Sequence, residues 1–245
     1  RRPVQRDTLA ALLWGEMGDA DAKNNLRQAL TSLRKAIEPF LEITRDTVAL
    51  RQASPYSLDV ATFEAALRAA KQATGQNRID HLQTAVEAYH GDFLEGFLVR
   101  DAPEFEEWAL AQRTRDRELA LQALHTLTTC YLDAAEYTAA IDAATHLLAL
   151  DGWREEGHRQ LMLALARTGQ FTAALAQYQR CRRVMLEVFN AEPAEETTAL
   201  YTRIRAALSG PRHNLPAALT GFVGRETEME NVRRKLANPA CRLLT

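Results

Sequence analysis

Apolar residues along the first fifty positions recur first at helical and then at strand spacing. Arg6 to Trp14 carries Leu9, Leu12 and Leu13 on one face and is stopped by Gly15, which predicts a short helix. The stretch GEMGDAD (15–21) is turn-like, and Asp21 is the predicted N-cap of the next helix. In that helix, Ala22 to Ile37, residues Leu26, Ala29, Leu30, Leu33 and Ile37 fall at i, i+3, i+4, i+7 and i+11, a stripe expected to be buried. Pro39 ends it. In LEITRDTVAL (41–50), Leu41 and Ile43, then Val48 and Leu50, alternate around Arg45-Asp46 as in a hairpin.

From residue 59 to 208 the pattern is helical almost throughout. Asp59 can cap a helix carrying Phe63, Ala66, Leu67 and Ala70, and a second helix from about Asp80 to Tyr89 presents Leu82, Ala85, Val86 and Tyr89. HGDFLEGF (90–97) breaks the pattern as a Gly-punctuated loop. Pro103 then opens a long run through Trp108 to Leu124. Two stretches, AEYTAAI (135–141) and GQFTAAL (169–175), align position for position. Tyr137 and Phe171, Ala140 and Ala174, and Ile141 and Leu175 lie 34 residues apart; Leu127 and Leu161, and Tyr131 and Leu165, extend the register upstream. That period, with small residues where helices cross and an aromatic in the turn, is the tetratricopeptide (TPR) signature of stacked helical hairpins. Such arrays present surfaces that grip another protein or segment. Pro193 opens a last helix, with Leu200, Ile204 and Leu208 at fourfold spacing, expected to cap the array. Ser209-Gly210-Pro211 reads as a linker. Beyond it, a short helix from Glu226 to Leu236 and an apolar run from Cys241 to Thr245 look like the start of a further domain, so the chain reads as a piece of a longer protein.

Composition narrows the class. At 47% hydrophobic and 25% charged residues the 245-residue chain is close to the globular average, and its net charge of −2 means that any nucleic-acid contact must come from a local patch. Cys130, Cys181 and Cys241 lack metal or CxxC spacing and read as cytosolic thiols. No apolar run suits a membrane span and no signal peptide opens the sequence, so the expected compartment is the cytoplasm, without membrane contact.

The local patch is the outer face of the Ala22–Ile37 helix. It carries Lys23, Asn24, Arg27, Gln28, Thr31, Arg34 and Lys35, with no carboxylate among them. Arg and Lys neutralise phosphates, and Arg, Asn and Gln can pair with base edges in the major groove. A helix with this face followed by a hairpin suggests a winged helix; the alternative is a solvated amphipathic helix beside a hairpin. Arg45 at the hairpin tip and Arg51 just after it are candidates for phosphate contact.

At this level of detail the chain resembles a known bacterial assembly. YHGDFLEGFLVRDAPEFEEWALAQR (89–113), the Asp59-to-Phe63 start, the two TPR-like hairpins and EPAEETTALYTRI (192–204) are similar to the bacterial transcriptional activator domain. That domain characterises the Streptomyces antibiotic regulatory protein (SARP) family and its relatives. LAALLWGEMGDADAKNNLRQALTSLRKAIEP (9–39) resembles the winged helix that precedes it, in which the second helix of the helix-turn-helix reads DNA. The resemblance therefore implies a DNA-facing role for Lys23, Asn24, Arg27, Gln28, Thr31 and Arg34. NLPAALTGFVGRE (214–226) resembles the beginning of a signal-transduction (NB-ARC-like) ATPase module. Two departures accompany the likeness. The family's winged helix opens with a small sheet and a first helix that do not precede Arg1, and no G-x-x-x-x-G-K-[ST] phosphate loop occurs in the sequence.

The expectation is a mainly α chain: a partial winged helix-turn-helix at 1–58, a TPR-like bacterial transcriptional activator domain at 59–208, and a linker with the truncated start of an ATPase module at 209–245. Its expected function is sequence-specific transcriptional regulation, as an activator, on double-stranded DNA. RNA polymerase and the protein's own ATPase module are the implied partners, and the family binds DNA as more than one copy. The alternative is a TPR-like sensor or interaction arm of a signalling ATPase that does not bind DNA. No cofactor is expected for these residues; ATP would belong to the module of a longer parent. His81, His90, His125, His146, His158 and His213 show no metal-ligand spacing, so neither a metal nor an enzyme is expected. Glu104, Glu106 and Glu107 suit a helix's first turn. Trp14, Trp108 and Trp153 are expected in the core, and Arg180, Arg182 and Arg183 form a basic run expected on a solvated face, the alternative being extra phosphate contact from the scaffold.

Overall fold

The computed structural model describes residues 3–51, 54–209, 230, 231, 233 and 234. The breaker at Gly210-Pro211, the GFVGRE segment and the Cys241–Thr245 run lie outside the described residues. Of the Glu226–Leu236 helix, the four described positions are helical. The chain divides into two compact units, residues 1–160 and 161–245.

At the start of the first unit, β1 (Val4–Gln5) leads into α1 (Arg6–Trp14), α2 (Asp19–Ile37), a single 3-10 turn, and the hairpin β2 (Leu41–Ile43) and β3 (Thr47–Leu50). The strands form an antiparallel sheet in the order β1-β3-β2, with Val48 facing both Val4 and Ile43. At the tip, the Thr44 hydroxyl accepts the N–H groups of Asp46 and Thr47 at 3.3 and 2.9 Å, placing Arg45-Asp46 at the turn. Ala10, Ala22, Leu26 and Leu30 form the buried core here, with Leu9, Trp14, Ile43 and Val48 packed against it. β1 escaped the periodicity reading because two residues carry no pattern; it is held by pairing with β3 and by an Arg6 N–H to Asp46 carbonyl bond of 2.8 Å.

Two local expectations are corrected. Helix α2 starts earlier than Ala22, with Gly18 at its N-cap, so Asp21 sits in the first turn, where a carboxylate favours the helix dipole without capping. The buried stripe runs at four-residue steps through Ala22, Leu26 and Leu30, whereas Ala29 is exposed and Leu33 is 41% exposed. Among the described residues α1 and the hairpin pack beneath α2, and its buried arc is correspondingly narrow.

Helices α3 (Asp59–Gln72), α4 (Gly75–Ala88), α5 (Pro103–Asp133) and α6 (Tyr137–Leu150) complete the regular elements lying wholly in this unit. Asp59 does not cap α3 as expected: Leu58 is the N-cap without a side-chain bond, and Asp59 opens the first turn, its Oδ1 accepting the Val60 N–H at 2.7 Å. Phe63, Ala66, Ala85 and Ala120 join α3, α4 and α5 in one cluster, and Leu121, Leu124 and Leu147 join α5 to α6. Alanines at these crossings let the backbones approach. Helix α4 begins at Gly75, a turn before the expected Asp80.

The C-terminal end of α1 rests on the beginning of α5. Leu12, Leu13 and Val99 pack against Ala102, Phe105 and Ala109. Gly15 leaves room at this contact: a Cβ there would lie 2.5 Å from Glu104 Oε1 and 2.7 Å from the Ala11 carbonyl oxygen.

Helix α7 (Glu155–Arg167) spans the division between the units and leads to α8 (Phe171–Phe189) and α9 (Glu195–Ser209). Within the second unit α9 lies on α8, with Tyr178 and Tyr201 stacked at 4.2 Å between centroids and the Tyr178 and Thr198 hydroxyls 3.3 Å apart. Helix α9 buries Thr197, Leu200 and Ile204, but Leu208, expected on that stripe, is 50% exposed one turn beyond the last buried position. Trp153 is 59% exposed, because it stands in the turn before α7 rather than on a helix face; Trp108 is 39% exposed at the edge of an aromatic group with Phe93 and Phe105. Trp14 packs against the α1–α2 core cluster.

The 34-residue repeat has a structural counterpart in its turns. α6 and α8 begin at the aligned residues Tyr137 and Phe171, and Ala140 and Ala174 are fully buried. The three turn hydrogen bonds made by the N–H groups of Ala134, Ala135 and Glu136 recur, 34 residues on, at Thr168, Gly169 and Gln170. Both turns pass through a left-handed residue: Ala135 at φ 60° and Gly169 at φ 78°.

Candidate nucleic-acid interface

The outer face of α2 is positioned by the core beneath it. With Ala22, Leu26 and Leu30 turned inward, Asn24, Arg27, Gln28, Thr31, Arg34 and Lys35 are exposed and Lys23 is half-buried. The Thr31 hydroxyl donates to the Arg27 carbonyl at 2.8 Å, and an Arg27 Nη1–H reaches Asn24 Oδ1 at 3.5 Å, so these three side chains share one stretch of the helix.

Both ends of the face are neutralised by carboxylates from outside the Ala22–Ile37 window. Lys23 Nζ lies 3.0 Å from Asp19 Oδ2 and 3.4 Å from Asp7 Oδ1. Its hydrogen bonds to Asp19 and then Asp7 hold its ammonium pKa above the ordinary lysine value. Arg34 Nε pairs with Glu38 Oε1 at 3.3 Å. Asp19 and Glu38 stand four residues from their partners, a spacing that sequence alone exposes; the Asp7 contact arises only because α1 packs on α2. Among the described residues, Arg27 and Lys35 face no carboxylate within ion-pair distance. They are the cations of the face that remain uncompensated.

The hairpin lies beside this helix, since Ile43 and Val48 pack on the same cluster. Arg45 is exposed at the tip, and its carbonyl accepts an Arg6 Nη1–H at 3.5 Å. Arg51 is drawn back to the sheet, its Nη2 donating to the Leu41 carbonyl at 3.2 Å. That bond bridges the ends of β2 and β3.

The remaining candidates resolve structurally. Glu106 Oε1 accepts the Val99 N–H at 2.8 Å and so fixes the start of α5, while Glu104 lies against Gly15. Arg182 forms a two-pronged pair with Glu192, both bonds 2.7 Å. Among the described residues no group of His, Cys, Asp and Glu is arranged to hold a metal ion, and no helix is long and apolar enough to cross a membrane.

Residues 58–205 match the sequence profile of the bacterial transcriptional activator domain. The chain is 30% identical over 226 residues to "Regulatory protein AfsR" of Streptomyces coelicolor, an alignment covering 84% of this chain and 22% of that protein. It is 26% identical over 266 residues to "Regulatory protein AfsR" of Streptomyces griseus, covering 96% of this chain and 27% of that protein. The chain thus spans about a quarter of the length of these relatives. Its fold resembles that of Mycobacterium tuberculosis EmbR, solved in complex with a low affinity phosphopeptide, at a TM-score of 0.58 and 20% identity over 96% of this chain and 60% of that one.

Proposed function

The chain belongs to the bacterial transcriptional activator domain family of SARP-like regulators, and from that premise we propose that it is a sequence-specific DNA-binding activator in which α2 enters the major groove. The observation that carries this reading is the exposed surface of Asn24, Arg27, Gln28, Thr31 and Lys35, which among the described residues meets no carboxylate within ion-pair distance. Arg27 and Asn24 supply base contacts, with Gln28 and Thr31 beside them. Lys23 and Arg34 exchange their carboxylate partners for phosphates on binding, and Arg45 and Arg51 contact the backbone across the hairpin. Residues 1–58 act as the reading head, 59–208 as a TPR-like support presenting a surface to RNA polymerase or to the protein's own ATPase module, and 209–245 as the lead into that module. The packing of α1 on the start of α5 supports a fixed orientation of the head on that helix. Action on chromosomal DNA places the protein in the cytoplasm, and binding by more than one copy would raise a modest affinity by linkage.

Selection of the protein against a random DNA library at moderate salt tests this, in parallel with an Arg27→Ala/Gln28→Ala double variant. Enrichment of a defined motif that the variant loses is the expected result, and Arg27→Ala alone is expected to weaken cognate binding by ~1–3 kcal/mol. Equal losses on cognate and random DNA would remove Arg27 from base reading. No enrichment by the folded protein would instead favour the interaction-arm reading, with Lys23 and Arg34 serving only to pin α2.

A further inference from the structure

The loop before α5 and the first turns of that helix leave an apolar surface uncovered. Leu94, Phe97, Leu98 and Trp108 are exposed, Phe97 by 52% and Leu98 by 73%. Ring contacts tie the surface together: Trp108 lies 5.6 Å from Phe93 and 5.6 Å from Phe105, and Phe105 lies 6.0 Å from Phe97, between centroids. We propose that it docks an amphipathic helix of a protein partner, one whose apolar face is flanked by lysine or arginine. The inference gives a place to the partner-presenting role proposed for residues 59–208 and rests on that part of the reading.

The surface is held in shape before any partner arrives. Arg113, on α5, donates to three carbonyls of the loop, those of Phe93 at 2.8 Å, Leu94 at 3.0 Å and Phe97 at 3.2 Å. Leu94 and Gly96 stand in the left-handed region, at φ 51° and 73°, a conformation that is costly for leucine. A cross-tied loop loses little freedom on binding, so its aromatic and leucine side chains are ready-made anchors. The surface also adjoins the joint of the head, because Phe105 belongs both to this ring group and to the α1–α5 contact.

Charge selects the partner. Residues 92–113 carry six carboxylates and two arginines. Asp92 is paired with Arg117 and accepts the Tyr89 hydroxyl, Glu106 accepts the Val99 N–H, and Arg113 is committed to the loop carbonyls. Glu95, Asp101, Glu104 and Glu107 are exposed and face no cation within ion-pair distance among the described residues; Arg100 is the other arginine of the stretch. Glu104 and Glu107 flank Trp108 on α5 itself, one turn and one residue before it. Such a rim repels nucleic-acid phosphates and anionic lipid surfaces and attracts a basic helix, whose apolar residues the exposed aromatics then cover. An apolar surface with a polar rim is the usual form of a protein-binding site.

Fluorescence anisotropy of a labelled leucine–lysine peptide with helical apolar spacing, titrated with the whole chain at low salt, tests the surface. A leucine–glutamate peptide of the same spacing is the control. One-to-one saturable binding of the basic peptide, absent for the acidic one, is expected. Leu98→Ser should weaken it about tenfold, the loss of one buried leucine. Glu107→Lys should weaken it about threefold at low salt and less at high salt. Phe189→Ser, at another exposed apolar position, should leave the affinity unchanged. Circular dichroism checks that each variant is folded. No saturation, equal binding of the acidic peptide, affinity unchanged in both Leu98→Ser and Glu107→Lys, or an equal loss in Phe189→Ser would overturn the proposal. Self-association in sedimentation velocity that Leu98→Ser abolishes would also overturn it, by giving the surface to a second copy of the chain. Motif enrichment from the random DNA library should be the same for Leu98→Ser as for the unaltered chain, so a failure of this surface and a failure of DNA reading are told apart.

Discussion

The proposed reading head and the helices α3 to α6 solve the burial problem differently. In the head, the buried hydrophobics among the described residues are Ala10, Ala22, Leu26, Leu30 and Leu41, and none is larger than leucine. Among α3 to α6, Phe63, Leu124 and Leu147 are at most 2% exposed, and Ala85, Ala109, Ala140 and Ala144 are completely buried where helices meet. A thin core leaves most of the α2 surface free to meet a ligand, and that freedom lowers the head's own stability. The contact of Leu12, Leu13 and Gly15 with the start of α5 compensates for part of this.

The largest effects should come from cutting each core at its centre. Leu124→Ala is expected to cost about 2–5 kcal/mol, read as a lower urea midpoint, because its side chain is 1% exposed between α5 and α6. Leu26→Ala removes the same atoms from the head, and hydrogen exchange should show α1 and α2 losing protection while α3 to α6 keep theirs. Equal loss in both regions would mean that the head has no separate stability and that the contrast is false.

The next effect tests the joint. Gly15→Val should cost about 1–3 kcal/mol by forcing Cβ against the Ala11 carbonyl and Glu104. Exchange should quicken in α1 and the first turns of α5. An unchanged α5 would show that Glu104 simply swings away.

Smaller changes sharpen the comparison between the two 34-residue turns. Each passes through the left-handed region, but one uses alanine and the other glycine. Ala135→Gly should therefore stabilise by roughly 0.5–1 kcal/mol, and Gly169→Ala, with open space around it but positive φ, should destabilise by roughly 1 kcal/mol. Opposite signs in thermal melts would establish the turns as equivalent; the same sign would break the equivalence.

The smallest expected effect is electrostatic. The hydrogen bond from Arg182 holds the Glu192 carboxyl below its ordinary value of 4.5. Because the folded pKa is depressed, any stabilisation from this pair is present above the unfolded value and fades as pH falls through the folded one. Both groups are exposed, so the effect on stability is slight. An NMR titration should show the Glu192 carboxyl moving up in Arg182→Ala, and no movement would remove Arg182 as the cause.

Much of this organisation was legible before any coordinates. Residues within one helix obey local rules, so α1, the hairpin about Arg45-Asp46, the opening of α5 at Pro103 and the register of the two turns followed from spacing alone. The DNA-facing candidates were legible as a set, because a polar face without acids is a property of consecutive residues. Their electrostatic state was only half legible: i,i+4 spacing exposes Asp19 and Glu38, but not Asp7.

Tertiary structure decided what depends on residues far apart in the chain. It made Ala29 and Leu33 exposed by giving α2 neighbours on one side only, and turned Trp153 outward by leaving it in a turn. It also tied Arg51 to Leu41 and buried Asp116 beside Arg115, 3.6 Å away. Sequence determined which faces could form, because periodicity is local; packing alone decided which of them were covered, because burial depends on the partners a face finds.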